Sequence, residues 1–252
     1  MTDDASAGAG DRMRGDESDR NDPRTDRSRR AVRETYDDIA AHFAKTRANP
    51  WPEVESFLED RTGRLGLDVG CGNGRHAGPL ADRVDRVLGV DASGELLGIA
   101  RERAIQRGYA AAFDPVGGDA ARLPIRPGSV DIALYVATIH HLPTRALRRE
   151  SLSELGRVLS VPGTALVSAW STAHDRFDAS PDDPEGFDTS VDWTLPGGET
   201  VPRFYHIYAL PEFEADLDAS GLSVERSFVS SGNCYAVVSK GNAHTGREDS
   251  RI

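Results

Sequence analysis

Leu67-Asp68-Val69-Gly70-Cys71-Gly72-Asn73-Gly74-Arg75-His76 is the stretch whose reading decides the fold. It reads as a buried strand with an acidic residue near its end, then a tight turn, then the start of a helix. Gly70, Gly72 and Gly74 stand at alternate positions, where the missing Cβ lets the backbone reach positive φ and approach a ligand closely. A dinucleotide fingerprint would place its third glycine at position 75, for close helix–strand packing, but Arg75 stands there. An acidic strand end also suits a cationic ligand better than a diphosphate, which it would repel.

Outward from this turn, strand and helix patterns alternate, the signature of an α/β fold with a mostly parallel sheet and helices on both faces. Strands are expected at Leu65–Val69, Arg86–Asp91, Ala111–Gly117, Val130–Tyr135 and Thr164–Trp170. A closing hairpin is expected from Ser223–Ser230 and Cys234–Ser239, and helices at about 145–159 and 211–220. Asp91 falls about 20 positions after Gly70, the spacing at which an acidic residue meets a ribose hydroxyl pair. Ser93 can cap the helix that follows. Past Val130–Tyr135 the chain runs into His140-His141-Leu142, at the carboxyl end of a central strand, where open α/β sheets bind their ligands. The two histidines have no third partner at a metal-ligand spacing, so a lining role is expected and no metal. Trp170 ends its strand on the same rim and is read as a wall of the site.

The 252 residues suit one α/β domain, 31–240, between two polar tails, 1–30 and 241–252, that have too little apolar surface to fold. Forty-one Asp+Glu against thirty Lys+Arg give a formal net charge of −11, which argues against general nucleic-acid affinity. Lys45 and Lys240 are the only lysines. Many Asp and few Lys resemble proteins of salt-accumulating, halophilic microbes, although a GC-rich genome favouring Arg codons explains part of that bias. Cys71 and Cys234 form neither a disulfide framework nor a zinc spacing. No apolar run approaches membrane-spanning length, and a cytoplasmic setting with no membrane role is expected.

Two stretches fall outside this generic frame. Residues 31–62 read as a helical cap in which Tyr36, Phe43 and Trp51 are packing residues, broken at Pro50 and Pro52. Arg47, between a helix end and Trp51-Pro52, has no packing reason to be there. Ser171–Asp192 reads as an acidic loop without periodicity. After it, Trp193-Thr194-Leu195-Pro196-Gly197-Gly198 makes a turn-rich corner and Arg203–Tyr208 a strand, the region where substrate identity is expected.

The D-x-G-x-G-x-G pattern at Asp68–Gly74 resembles motif I of class I S-adenosylmethionine-dependent methyltransferases, whose fold is Rossmann-like. Four pieces together resemble the tRNA wobble-uridine methyltransferases that esterify a carboxymethyl group on uridine. They are Tyr36-Asp37-x-Ile39-Ala40-x-His42-Phe43-x-x-Thr46-Arg47-x-x-x-Trp51-Pro52, the glycine turn, His140-His141-Leu142, and Trp193-x-Leu195-Pro196-Gly197-Gly198 with Arg203-Phe204-Tyr205-His206. The resemblance implies a seven-stranded sheet with its last strand antiparallel. It implies S-adenosylmethionine held by Asp68, Gly70, Gly72, Gly74, Asp91, Asp119, Ala120 and His140, with Asp119 at the position that meets the adenine amino group. It further implies a tRNA anticodon loop as substrate, and a small zinc-binding activator docked as a heterodimer on the edge strand, Ala111–Gly117. Arginine's planar fork suits a carboxylate, so Arg203 and then Arg47 are expected to grip it, with Tyr205 and His206 shaping the pocket. Trp51, Trp170, Trp193 and His141 are expected on the substrate side, an aromatic there stacking on a splayed base. The alternatives are a small-molecule methyltransferase and a non-catalytic cofactor-binding partner.

Overall fold

A computed structural model describes residues 28–179 and 183–241, so the two expected tails fall almost wholly outside the described residues. The elements run α1 (Arg29–Thr46), α2 (Pro52–Leu58), β1 (Gly63–Val69), α3 (Ala77–Ala81), β2 (Val84–Asp91), α4 (Gly94–Arg107), β3 (Phe113–Gly117) and β4 (Val130–Val136). They continue with α5 (Arg145–Val158), β5 (Leu159–Trp170), β6 (Phe187–Thr194), β7 (Thr200–Ile207), α6 (Leu210–Ala219), β8 (Leu222–Ser230) and β9 (Asn233–Lys240).

Seven strands form one sheet in the order β3-β2-β1-β4-β5-β9-β8. The first five are mutually parallel, and β9 runs antiparallel to both of its neighbours. This is the Rossmann-like α/β sheet expected, with the last strand in the chain reversed. β4, Val-Asp-Ile-Ala-Leu-Tyr-Val, is buried at all but one position because helices cover both of its faces. One apolar layer centres on Leu152, Leu155, Phe213 and Leu217 of α5 and α6. The other centres on Leu80, Ala100 and Phe57 of α3, α4 and α2. Gly66 lets α3 sit close, since a Cβ there would lie 2.9 Å from Leu80.

Three expected boundaries shift. β3 covers only Phe113–Gly117, because Ala110–Ala112 form a 3-10 turn. β5 begins at Leu159, pairing with Val130 before its main ladder at Thr164. The larger correction is at Ser171–Asp192, whose last part is not loop. Phe187–Thr194 is β6, paired antiparallel with β7 in a separate two-stranded sheet joined through Leu195–Glu199. Thr189, Val191 and Trp193 do alternate with Asp188, Ser190 and Asp192, but the acidic partners mask the alternation when the segment is read with the residues before it.

Candidate active site

The carboxyl ends of β1, β2 and β4 open into a cavity of about 1180 Å³, roofed by α1 and closed on one side by the β6–β7 hairpin. At its floor the glycine turn leaves β1 with positive φ at Gly70, Gly72 and Gly74 (69°, 52° and 72°). A Cβ at Gly70 would lie 2.2 Å from the Thr138 side chain, so the turn sits directly against the end of β4. Asp91 ends β2 with one oxygen accepting the Gly72 N–H (2.8 Å) and the other the Ser93 N–H (2.9 Å). A carboxylate can accept further bonds, which suits hydroxyl donors. Asp119 caps its own loop through the Ala121 N–H, pairs with Arg29 of α1, and lies with Ala120 on the cavity wall.

Two residues expected in the wall stand behind it. Gly74 packs on Ala100 of α4, where a Cβ would approach to 3.1 Å, and its role is the close approach of turn and helix. Asp68 is 2% exposed, with Oδ2 lacking any hydrogen bond. Burial raises its pKa to about 7, Arg75 pulling it down and Asp91 pushing it up. A buried, unsatisfied acidic oxygen beneath the turn, with Asp91 and Asp119 in the wall, fits a ligand that carries cationic groups, ribose hydroxyls and an amino donor.

α1 is strapped to this floor by polar contacts. Asp37 accepts from the Ser93 hydroxyl (2.6 Å) and the Glu95 N–H (3.3 Å) at the start of α4. The Asn73 amide donates to the carbonyls of Ala44 (3.3 Å) and Arg47 (2.8 Å) at the other end of α1.

On the opposite side the cavity is aromatic and basic. Arg203 projects from β7 with its guanidinium 4.7 Å from the Trp193 ring centre and 5.2 Å from that of Tyr205. It is 7% exposed and its Nε has no partner. Among the described residues no carboxylate pairs with Arg203, Arg47 or Arg75. Burial works against the charge of Arg203, but the Tyr205 and Tyr36 oxygens outweigh it and hold its pKa above the ordinary value. Tyr205 stacks on Trp170 at 4.7 Å and 18°. Trp193 donates from Nε1 to His42 of α1 (3.0 Å) and lies 5.5 Å from the Arg47 guanidinium. Trp51 lines the floor, with Arg75 over its ring at 4.6 Å.

Both histidines after β4 are held neutral. His140 accepts the Trp170 N–H on Nδ1 (3.0 Å), so its single proton is on Nε2. Burial, with His141 and Arg203 nearby, pushes its pKa well down. His141 Nδ1 lies 3.0 Å from the Phe204 carbonyl, which can only accept, so Nδ1 carries the proton. Its Nε2 therefore accepts from the Tyr36 hydroxyl (2.8 Å), and burial brings its pKa to about 3.

His206 corrects an expectation. Strand residues alternate faces, so Arg203 and Tyr205 look into the cavity while His206 looks away from it. Its ring nitrogens meet Asp188 (2.8 Å) and Glu212 of α6 (3.2 Å). Glu212 also accepts the Gly186 N–H (2.7 Å), at a glycine whose added Cβ would lie 1.9 Å from the Ile207 carbonyl oxygen. This cluster pins both ends of the hairpin to α6. Among the described residues no group of three His, Cys, Asp or Glu is placed to hold a metal. Tyr36, Asp37 and Arg75 are cavity or strap residues that the sequence reading left out of the site. Tyr36 shared a helical stripe with core residues, and only its motif neighbours hinted otherwise.

A seven-stranded sheet with its last strand reversed, together with a glycine turn after its first strand that suits a cationic nucleoside, defines a class I S-adenosylmethionine-dependent methyltransferase, and that nucleoside is its cofactor. Residues 67–167 match the family model of a methyltransferase domain. The chain is 38% identical over 141 residues to a mouse tRNA (carboxymethyluridine(34)-5-O)-methyltransferase, covering 56% of this chain and 20% of that protein. It thus spans about a fifth of the length of the vertebrate relatives it matches. A protein of Encephalitozoon cuniculi described as a methyltransferase is 31% identical, covering 84% of this chain and 96% of its own. A Haloferax volcanii methyltransferase in complex with the Trm112 methyltransferase activator shares the fold, with a TM-score of 0.61 at 17% identity, over 84% of this chain and 99% of that one. The chain belongs to the methyltransferases, with the Encephalitozoon cuniculi protein, and over part of its length it is similar to the tRNA (carboxymethyluridine(34)-5-O)-methyltransferases. No helix among the described residues is long and apolar enough to cross a membrane.

Proposed function

We propose that this protein transfers a methyl group to the carboxylate of a 5-carboxymethyl-type wobble uridine in a tRNA anticodon loop, forming a methyl ester. The observation that carries this reading is Arg203, a nearly buried cation on the wall of the cofactor cavity with no acidic partner among the described residues. A guanidinium without an acidic partner keeps its net charge open to an anion, and its planar fork matches a carboxylate.

The surrounding groups agree with a nucleophile that arrives already ionised. His140 has its proton on Nε2 and its lone pair occupied by Trp170, and His141 has both nitrogens committed. Neither is available as a general base, which a hydroxyl or amine nucleophile would need. When bound, S-adenosylmethionine supplies a methyl group on a sulfonium, which a carboxylate oxygen can accept without first losing a proton. Arg203 would hold one carboxylate oxygen and leave the other free to be aligned. Asp91 would take the ribose hydroxyls, Asp119 and Ala120 the adenine, and Gly70 and Gly72 the close backbone approach. Trp170 and Trp193 are the aromatic faces offered to the base.

For the partner, β3 is an edge strand of the main sheet, bonded to β2 alone among the described strands. A small zinc-binding activator adding a strand along Phe113–Gly117 would cover it; that a Haloferax volcanii methyltransferase of the same fold forms a complex with a methyltransferase activator supports an activator partner.

The test uses radiolabelled methyl cofactor, tRNA from a strain lacking this protein, and the activator present or absent. Alkali-labile label on tRNA is the expected result. Alkali-stable label would discard the ester, and no label on any tRNA in high salt with activator would favour a small-molecule substrate.

A further inference from the structure

We infer that Tyr36 is a positioning residue for the anion site: it orients Arg203 with a neutral oxygen, leaving the guanidinium charge available to the substrate. The inference deepens the reading of Arg203 above and rests on it for the identity of the anion. Tyr36, His141 and Arg203 face one small void beneath the roof of the cavity, bounded by Val32 and Thr35 of α1 and by Pro202 and Phe204 of β7. The phenol ring packs edge-on against His141 (5.1 Å) and Phe43 (5.6 Å), which fixes its plane. Its hydroxyl proton is already spent. The Phe204 carbonyl forces the His141 proton onto Nδ1, so Nε2 is an acceptor and Tyr36 must donate to it. What Tyr36 still offers is oxygen lone pairs, beside a void that Arg203 lines with it.

The choice of residue matters because of what it is not. A carboxylate at position 36 would orient Arg203 equally well but would neutralise it, and the substrate would then compete with an internal ion pair. A phenol whose proton points elsewhere gives direction and leaves the net charge of Arg203 in place. Burial raises the Tyr36 pKa well above its ordinary value, so it stays neutral across the working range.

Two measurements test this with the full chain. In the first, the guanidinium resonances of ¹⁵N-labelled Arg203, assigned by their loss in Arg203→Lys, are compared with those in Tyr36→Phe. Slowed guanidinium rotation is expected in the unsubstituted protein and its loss in Tyr36→Phe, whereas resonances unchanged by Tyr36→Phe overturn the inference whatever the substrate is. In the second, 5-carboxymethyluridine is titrated calorimetrically with S-adenosylhomocysteine present. Tyr36→Phe is expected to weaken nucleoside binding about tenfold, in line with one hydrogen bond to a charged group, and to leave S-adenosylhomocysteine affinity within about twofold. In an Arg203→Lys background the same change is expected to cost less than about twofold. An equal loss in both backgrounds means that Tyr36 acts through packing and overturns the inference. If the unsubstituted protein does not bind the nucleoside while Tyr36→Phe still frees the Arg203 side chain, the positioning role stands and the assigned anion falls.

Discussion

The two halves of the cavity are built in opposite ways. The cofactor half comes from strand ends adjacent in one sheet, and its groups are backbone amides and the carboxylates of Asp91 and Asp119, with Asp68 behind them. The substrate half comes from three elements far apart in sequence, α1, the turn after β4 and the β6–β7 hairpin, and its groups are aromatic rings and arginines. The first half is acidic and held by the ladder of the sheet. The second is basic and held by side-chain contacts between elements that share no ladder. The lesson is that cofactor affinity and substrate grip should separate under mutation, except where α1 spans both.

The sharpest break is Arg203→Ala, expected to reduce transfer by more than about a hundredfold, the scale for losing a buried charged partner, with cofactor affinity within about twofold by calorimetry. Loss of both would show that the halves are not separable. Gly70→Ala is the converse case. A Cβ held 2.2 Å from Thr138 at positive φ strains the turn, and cofactor affinity should fall by more than about tenfold with a lowered melting temperature. The third test uses pH. The Asp68 pKa rises from 3.8 in the free group to about 7 in the folded chain. Below the lower value both states are protonated; between the two, the folded state holds a proton that the unfolded state has lost. Stability present in acid is therefore lost as pH rises towards 7, by about 4 kcal/mol at most. Asp68→Asn should flatten this slope in thermal melts of the cofactor-free protein; an unchanged slope would place its origin elsewhere. The smallest effect is expected for Asp37→Ala, which removes the strap from α1 to α4. About 1 kcal/mol, roughly fivefold in cofactor affinity, together with a similar weakening of substrate binding, would identify α1 as the element that links the halves.

This contrast also explains what was legible in advance. The turn at Asp68–Gly74 and the spacing to Asp91 lie within one stretch of chain, where geometry follows from local order, and the sheet topology follows from alternation of elements. The substrate half depends on contacts that no local pattern encodes. Val32, Tyr36, Ile39 and Phe43 share a helical stripe, but a stripe does not say whether it meets a core or a cavity; Ile39 meets the core and Tyr36 the cavity. For Arg203, Tyr205 and His206 the reading named three neighbours for one pocket, although strand geometry can send only two of them there. β6 was missed because its alternating residues are flanked by an acidic run and its partner lies beyond a glycine corner.

The cluster of Gly186, His206 and Glu212 bears on how this scaffold could be re-engineered. It fastens the hairpin at its two ends, outside the cavity, so the segment from 187 to 207 behaves as a cassette whose inner face can be rewritten while its clasp is kept. A graft that exchanges Arg203, Tyr205 and Trp193 for another recognition set has one strict requirement at the seam: residue 186 must remain glycine, because the Ile207 carbonyl occupies the space any other side chain would need.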